Sequence, residues 1–171
     1  MSKEIFQTER LNIRHITPDD AEMLFAVYGD AEAMRWVDDG QPIVWEECVR
    51  WIDVTLRNYD VRGYGMSALV LKSSGAVVGF CGVVHPGDQL EPEIKYALLR
   101  DYWGQGLATE VVRGMLAYVM THFALDRVIA TIDPDNGASR RVLVKSGMSS
   151  LQTENNDDGS LTETLVWVAE S

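Results

Sequence analysis

The apolar positions of this chain fall into short runs whose period changes several times. "RLNIRHI" (10–16) alternates apolar and polar residues and predicts a first strand. "TPDDAEMLFAVYGD" (17–30) switches to helical spacing, with Thr17 as N-cap, Pro18 at the first helical position and acids in the first turn. A second helix is expected from Glu46 to Asn58, where Val49, Ile52 and Leu56 share a face. "GYGMSALVLKSSGAVVGFCGVVHP" reads as a hairpin turning at Ser73–Gly75, and "PEIKYALL" as a further strand. Leu107, Val111, Met115, Val119 and Phe123 then define a long amphipathic helix, preceded by a loop that holds Gly104 and Gly106. "RVIATID" is a strand and "NGASRRVLVKSG" a short helix closed by Gly147. "MSSLQTE" and "LTETLVWVA" form a closing hairpin around "NNDDGS". The order β-α-α-β-β-β-α-β-α-β-β has an antiparallel middle. It is α+β in character and excludes a doubly wound dinucleotide-binding sheet.

The 171 residues read as a single domain, 1–171, long enough to bury a real core. With 46% hydrophobic and 24% charged residues the composition is that of an ordinary globular protein. No apolar run approaches the ~18 residues needed to span a membrane, and "MSKEIFQTER" lacks a signal-peptide core. Cys48 and Cys81 have no metal-ligand spacing and read as buried thiols. A reducing, cytoplasmic setting without metal or membrane is therefore expected. The net charge of −11 argues against nucleic acid as a partner, because phosphate neutralisation needs clustered Lys and Arg. The stretch from Arg100 to Lys145 is nevertheless +1, which leaves −12 on the remainder. That stretch tolerates an anionic ligand, and the rest favours a cationic partner such as an amine.

Two glycines one residue apart, directly before a helix, need a reason, since glycine costs roughly 1 kcal/mol against alanine inside a helix. A helix N-terminus carries unpaired N–H groups and the positive end of the dipole. Gly104 and Gly106 let a phosphate approach those groups with no Cβ in the way, Ala108 continues the small surface, and Thr109 adds a hydroxyl. A tight turn with nothing bound is the plainer alternative. A P-loop is excluded because no Lys and Ser/Thr follow the last glycine. A dinucleotide fingerprint fits poorly, with Thr109 where its third small residue should stand.

"EIKYALLRDYWGQGLATE", followed by "DPDNGASRRVLVKSGM" and preceded by "TERLNIR", resembles the GNAT N-acetyltransferases, particularly their RimJ/RimL-like branch, over nearly the whole chain. The resemblance implies an acyl-CoA N-acyltransferase fold: one mixed, mostly antiparallel, twisted sheet of about six to seven strands flanked by four helices. It implies that Gly104, Gln105, Gly106, Leu107, Ala108 and Thr109 cradle the pyrophosphate of acetyl-CoA. It also implies that the strand ending at Leu98 and Leu99 pairs with the pantetheine arm through its backbone, with an oxyanion held by a backbone N–H near Leu98. Asn136 matches a residue that contacts the arm, and Ser139 one placed near the thioester sulfur. Two positions depart from the family pattern. Trp103 stands where Gln or Arg often opens the loop, and Leu143 takes the place of a tyrosine general acid.

Acetyl transfer to an amine requires removal of a proton, because an alkyl amine with a pKa of ~10.4 is mostly protonated at neutral pH. Glu93, at the start of the strand leading into the glycine loop, is the candidate base, with a solvated strand-end glutamate as the alternative; Glu91 is held in reserve. Ser139 is a candidate hydrogen-bond donor to sulfur and Asn136 a natural N-cap. Arg140, Arg141 and Lys145 are placed to meet adenosine phosphates, Arg141 foremost, or simply to form a solvated face. His15, His85 and His122 have no partners at nucleophile or metal spacing. Trp36, Asp38 and Asp39, in a region expected to be a loop, are candidates for holding a cationic acceptor. The sequence thus reads as an N-acetyltransferase acting by direct transfer in a ternary complex, since no cysteine lies in either motif to carry the acyl group. The acceptor is a primary amine, either a protein N-terminal α-amine or a small cationic molecule, and the protein a monomer or homodimer. A non-catalytic acyl-CoA sensor is the alternative.

Overall fold

A computed structural model of the chain describes residues 3–36 and 40–170. Its eight strands form one sheet: β1 (Glu4–Gln7), β2 (Leu11–His15), β3 (Met66–Leu71), β4 (Val77–Val84), β5 (Glu93–Leu98), β6 (Arg127–Ile132), β7 (Ser149–Asn155) and β8 (Leu161–Val168). The spatial order is β1-β2-β3-β4-β5-β6-β8-β7, and every pairing is antiparallel except β5 with β6. Five α-helices accompany it: α1 (Ala21–Tyr28), α2 (Ala31–Met34), α3 (Trp45–Arg62), α4 (Leu107–Phe123) and α5 (Gly137–Lys145).

The sheet is one strand larger than the sequence pattern predicts. The added strand, β1, carries Ile5 and Phe6 side by side, so it shows no alternation. A register shift between Glu4 and Phe6 allows both neighbours to pack against the core. The first helix also starts later than expected. Pro18–Asp20 forms a 3₁₀ turn, closed by the Thr17 N–H donating to the Asp20 carboxylate at 2.8 Å, and α1 follows it. The extra helix α2 is a single turn whose N-cap is Asp30.

Both faces of the sheet are covered, which is why β3 and β4 are almost continuously apolar. On one face α4 buries Leu107, Val111, Val112, Met115, Leu116 and Val119 against Val83, Ile94 and Leu98. On the other, Leu24, Val27, Cys48 and Ile52 of α1 and α3 meet Ile16, Ala68 and Phe80. At roughly 1.5–3 kcal/mol per buried large aliphatic side chain, these two layers hold the sheet rigid between them.

The feature that matters for function is the parting of β5 and β6. Their parallel ladder is confined to Glu93 opposite Ile129, with the Ile129 N–H bonding the Pro92 carbonyl at 2.9 Å. β6 then runs the rest of its length paired to β8, while β5 stays on β4. A wedge therefore opens between the carboxyl ends of the two parallel strands, the place where open sheets receive ligands.

Candidate active site

A cleft of about 770 Å³ follows this wedge. β5 lends it both of its faces. Ile94, Tyr96 and Leu98 lie with the α4 layer, whereas Ala97 packs with the α1 and α3 layer. By strand alternation Glu93 and Lys95 share the side of Ala97.

The backbone of β5 is committed on one edge and free on the other. Leu99 donates its N–H to the Val78 carbonyl at 2.8 Å, in the same register that pairs Leu98 with Gly79. Antiparallel bonding alternates, so residues 93, 95 and 97 also exchange bonds with β4, and the backbone groups of Tyr96 and Leu98 point into the wedge. The Leu98 carbonyl accepts from the Trp103 indole at 2.8 Å, leaving its N–H toward the wedge. Leu99 is already engaged through both groups, its carbonyl accepting from the Tyr102 N–H. Of the two residues that the resemblance assigns to the coenzyme arm, Leu98 is therefore the one with an N–H still to give.

Glu93 is not a solvated strand-end residue: it is 5% exposed. Gln89 donates to its Oε1 at 3.2 Å, Thr131 of β6 donates to its Oε2 at 2.9 Å, and the Lys95 ammonium lies 3.5 Å from Oε2. A carboxylate has about four acceptor sites, so this arrangement leaves Oε1 able to take one more proton donor. Glu91 instead forms a half-exposed ion pair with Arg127 at 3.3 Å.

Across the wedge, Asn136 caps α5, its side chain accepting the Ser139 N–H at 3.2 Å. The Ser139 hydroxyl lies 2.6 Å from the Tyr96 hydroxyl. Burial pushes the Tyr96 phenol up to about 12, with the Ser139 hydrogen bond opposing the rise. Tyr96 thus stays protonated and able to donate. Leu143 is buried in the α4 layer below.

The loop before α4 adopts the conformation that its glycines allow. Gly104 and Gly106 have φ of +74° and +80°, values L side chains rarely take. Trp103 and Gly104 form a turn, and the backbone N–H groups of Gly106 to Thr109 fall at the cap and first turn of α4, where a helix supplies no acceptor of its own. They stand at the start of a 17-residue helix, as an anion site requires. Leu107 turns its side chain into the core and offers only its N–H, while Ala108 and Thr109 are half-buried. On α5, Arg140 is taken by Glu163 at 3.2 Å. Arg141 and Lys145 border a shallow groove on the outer surface with no ion-pair partner among the described residues.

On the α1 and α3 side, Trp36 is half-buried beneath the Arg35 guanidinium and lines the cleft with Trp51 and Tyr28. Asp38 and Asp39 lie outside the described residues. Trp45 packs edge-on against Phe25, and His15 stacks on Tyr59. His122 sits against the Tyr118 carbonyl. His85 is the histidine that faces the cleft. Its Nδ1 meets the Gln89 carbonyl at 3.0 Å, which can only accept, so Nδ1 carries a proton, and Nε2 lies 2.7 Å from the Tyr64 hydroxyl. Tyr96, Gln89, Thr131 and His85 carry no local motif that sequence reading detects. The one available signal for Tyr96 was its position in the alternation Ile94, Tyr96, Leu98. Among the described residues no three His, Cys, Asp or Glu side chains converge as metal ligands, and no helix is long and apolar enough to cross a membrane.

The wedge opens between the carboxyl ends of two parallel strands, and the chain runs from β5 straight into the glycine loop that starts α4. The acetyltransferase (GNAT) domain model matches residues 10–149, and the chain belongs to the GNAT acetyltransferase family. It is 30% identical to the uncharacterized N-acetyltransferase YoaA of Bacillus subtilis (strain 168) over 146 residues, 84% of this chain and 81% of that one. It is 31% identical to the uncharacterized protein YkkB of the same organism, over 85% and 86% of the two chains. Among solved structures, RimL, a ribosomal L7/L12 α-N-protein acetyltransferase in complex with coenzyme A, superposes with a TM-score of 0.82 at 16% identity and 98% coverage of both chains. That likeness bears on the fold.

Proposed function

We propose that this protein transfers the acetyl group of acetyl-CoA directly to a primary amine, with Glu93 as base and Ser139 as donor to the leaving sulfur. The observation that carries the reading is their placement. Glu93 opens toward the α1 and α3 side of the wedge, and the Tyr96–Ser139 pair stands on the α4 and α5 side.

Acetyl-CoA, when bound, supplies an acyl group activated as a thioester. The residues from Gly104 to Thr109 offer N–H groups to its pyrophosphate, and Arg141 a cation to its outer phosphate. From Glu93 to Leu98 β5 rises by about 17 Å at ~3.3 Å per residue, a distance suited to an extended arm. Leu98 gives that arm, or an acyl oxygen carrying negative charge, a backbone donor. The transfer makes an amide N–C bond and breaks the thioester C–S bond. Glu93 receives the amine proton at Oε1, and Ser139, held by Tyr96, donates a hydrogen bond to the sulfur. The thiol's ordinary pKa, taken as cysteine-like at ~8.5, makes it a fair leaving group with that help alone.

The acceptor we propose is a protein N-terminal α-amine or a small cationic amine. RimL, which shares the fold, acts on a protein α-amine. An excess of acid over base across the chain favours either cationic class. The proposal includes a cytoplasmic setting, since Cys48 and Cys81 are buried free thiols. The test is a panel of N-terminal peptides, polyamines and aminoglycosides, followed by release of free coenzyme A thiol. Turnover of a primary amine is expected, with Glu93→Gln slowing it by roughly 10²–10⁴. An unchanged rate and pH profile in that variant refutes the base.

A further inference from the structure

The turn between β1 and β2 reaches across to the loop before α4. Arg10 donates from Nη1 to the Gln105 carbonyl at 2.8 Å and from Nε to Glu110 Oε1 at 2.8 Å. Its own backbone N–H and the Thr8 hydroxyl both donate to Glu110 Oε2. Its remaining nitrogen, Nη2, lies 3.4 Å from where a Cβ on Gly106 would stand. The opening "TER" segment thus makes a fork-shaped clamp on a loop some hundred residues away.

We propose that Arg10 is the positioning residue of the pyrophosphate site, acting through Gln105 and Glu110; the proposal rests on the acetyl-CoA reading above. Two physical consequences follow from the clamp. In a trans peptide the C=O and the following N–H point in opposite directions. Pinning the Gln105 carbonyl to Arg10 therefore turns the Gly106 N–H away from Arg10, toward the open side of the loop. The second consequence is electrostatic. Glu110 sits in the first turn of α4, where an acid suits the helix dipole but repels a bound diphosphate. Burial alone would raise the Glu110 carboxyl. Its bonds from Thr8 and from the backbone and guanidinium of Arg10 outweigh burial and hold it ionised below the usual range. Arg10 cancels that charge at 2.8 Å, so the loop presents donors to the ligand without a net negative charge behind them. A lysine keeps the charge but reaches only one of the two acceptors, since it lacks the planar fork.

The test is calorimetric titration of wild-type, Arg10→Gln and Arg10→Lys proteins with coenzyme A and with pantetheine, which lacks the phosphates. Arg10→Gln is expected to weaken coenzyme A by about 10- to 100-fold, the range of a charge-assisted hydrogen bond, and pantetheine by less than about 3-fold. Arg10→Lys should fall between wild type and Arg10→Gln for coenzyme A, and it carries the test alone if Arg10→Gln does not fold. The assignment is overturned if the variants bind coenzyme A within about twofold of wild type, or lose both ligands in equal proportion. Wild-type protein that binds no coenzyme A overturns the acetyl-CoA reading itself and this assignment with it.

Discussion

Tyr96→Phe removes one buried hydroxyl and leaves its ring in place. The hydroxyl's side-chain partner is Ser139 Oγ at 2.6 Å, with a longer contact of 3.4 Å to the Ser139 carbonyl. Without it Ser139 loses the group that fixes its rotor. A neutral hydrogen bond is worth about 1 kcal/mol net, so kcat should fall about fivefold. Ser139→Ala removes the donor itself. Donors to a hard oxyanion are worth roughly 10²–10³, but sulfur is a weak acceptor, and we expect a loss of about tenfold. Because Tyr96 works through Ser139, the double variant should be no slower than Ser139→Ala. Independent roles would instead multiply to about fiftyfold. Steady-state release of free coenzyme A thiol at saturating substrates measures all four proteins, with thermal melts confirming that each is folded. The pH dependence adds a second check. Burial keeps the Tyr96 phenol protonated up to about 12. The fivefold ratio should therefore be constant between about pH 6 and pH 9, below even the ordinary tyrosine value. A multiplicative double variant, or a ratio that changes across that range, refutes the coupling.

Two further outcomes follow from the same geometry. Gly106→Ala forces an L residue to φ near +80°, at about 1–2 kcal/mol of strain. The melting temperature should fall by about 2–8 °C, and stabilisation by added coenzyme A should shrink as well; an unchanged melt and unchanged stabilisation contradict the loop's role. Tyr96 also makes stability fall at alkaline pH. Its folded pKa of about 12 exceeds the unfolded value of ~10, so the stabilising difference is complete below pH ~10 and is lost as pH rises toward 12. Chemical denaturation at a series of pH values should show this loss, and Tyr96→Phe should reduce it. A wild-type slope no steeper than the variant's contradicts the assignment.

What the chain disclosed in its sequence was what depends on neighbours along it. The positive φ at Gly104 and Gly106, the Asn136 cap and the turn around Gly75 are local conformations, each fixed within a few residues. The partners that build the site are not local. Tyr96 meets a serine 43 residues on, Glu93 a threonine 38 residues on, and Arg10 a carbonyl 95 residues on. A motif at one position carries no record of such pairings. Burial of Glu93 depends in the same way on β6 arriving beside it through the parallel pair with Ile129. β1 was hidden for a different reason: its register shift sets Ile5 and Phe6 next to each other and erases the alternation that marks a strand.

The central claim, that the loop of Gly104 and Gly106 holds the pyrophosphate of acetyl-CoA, is tested most directly by thermal unfolding of wild-type protein with acetyl-CoA, coenzyme A, ATP and NAD in parallel. Ligand at 100 times its dissociation constant adds about 2.7 kcal/mol, or about 5–11 °C for a domain of this size. We predict that rise for the two coenzyme A species alone. No shift at millimolar ligand, or an equal shift with ATP and NAD, would contradict it.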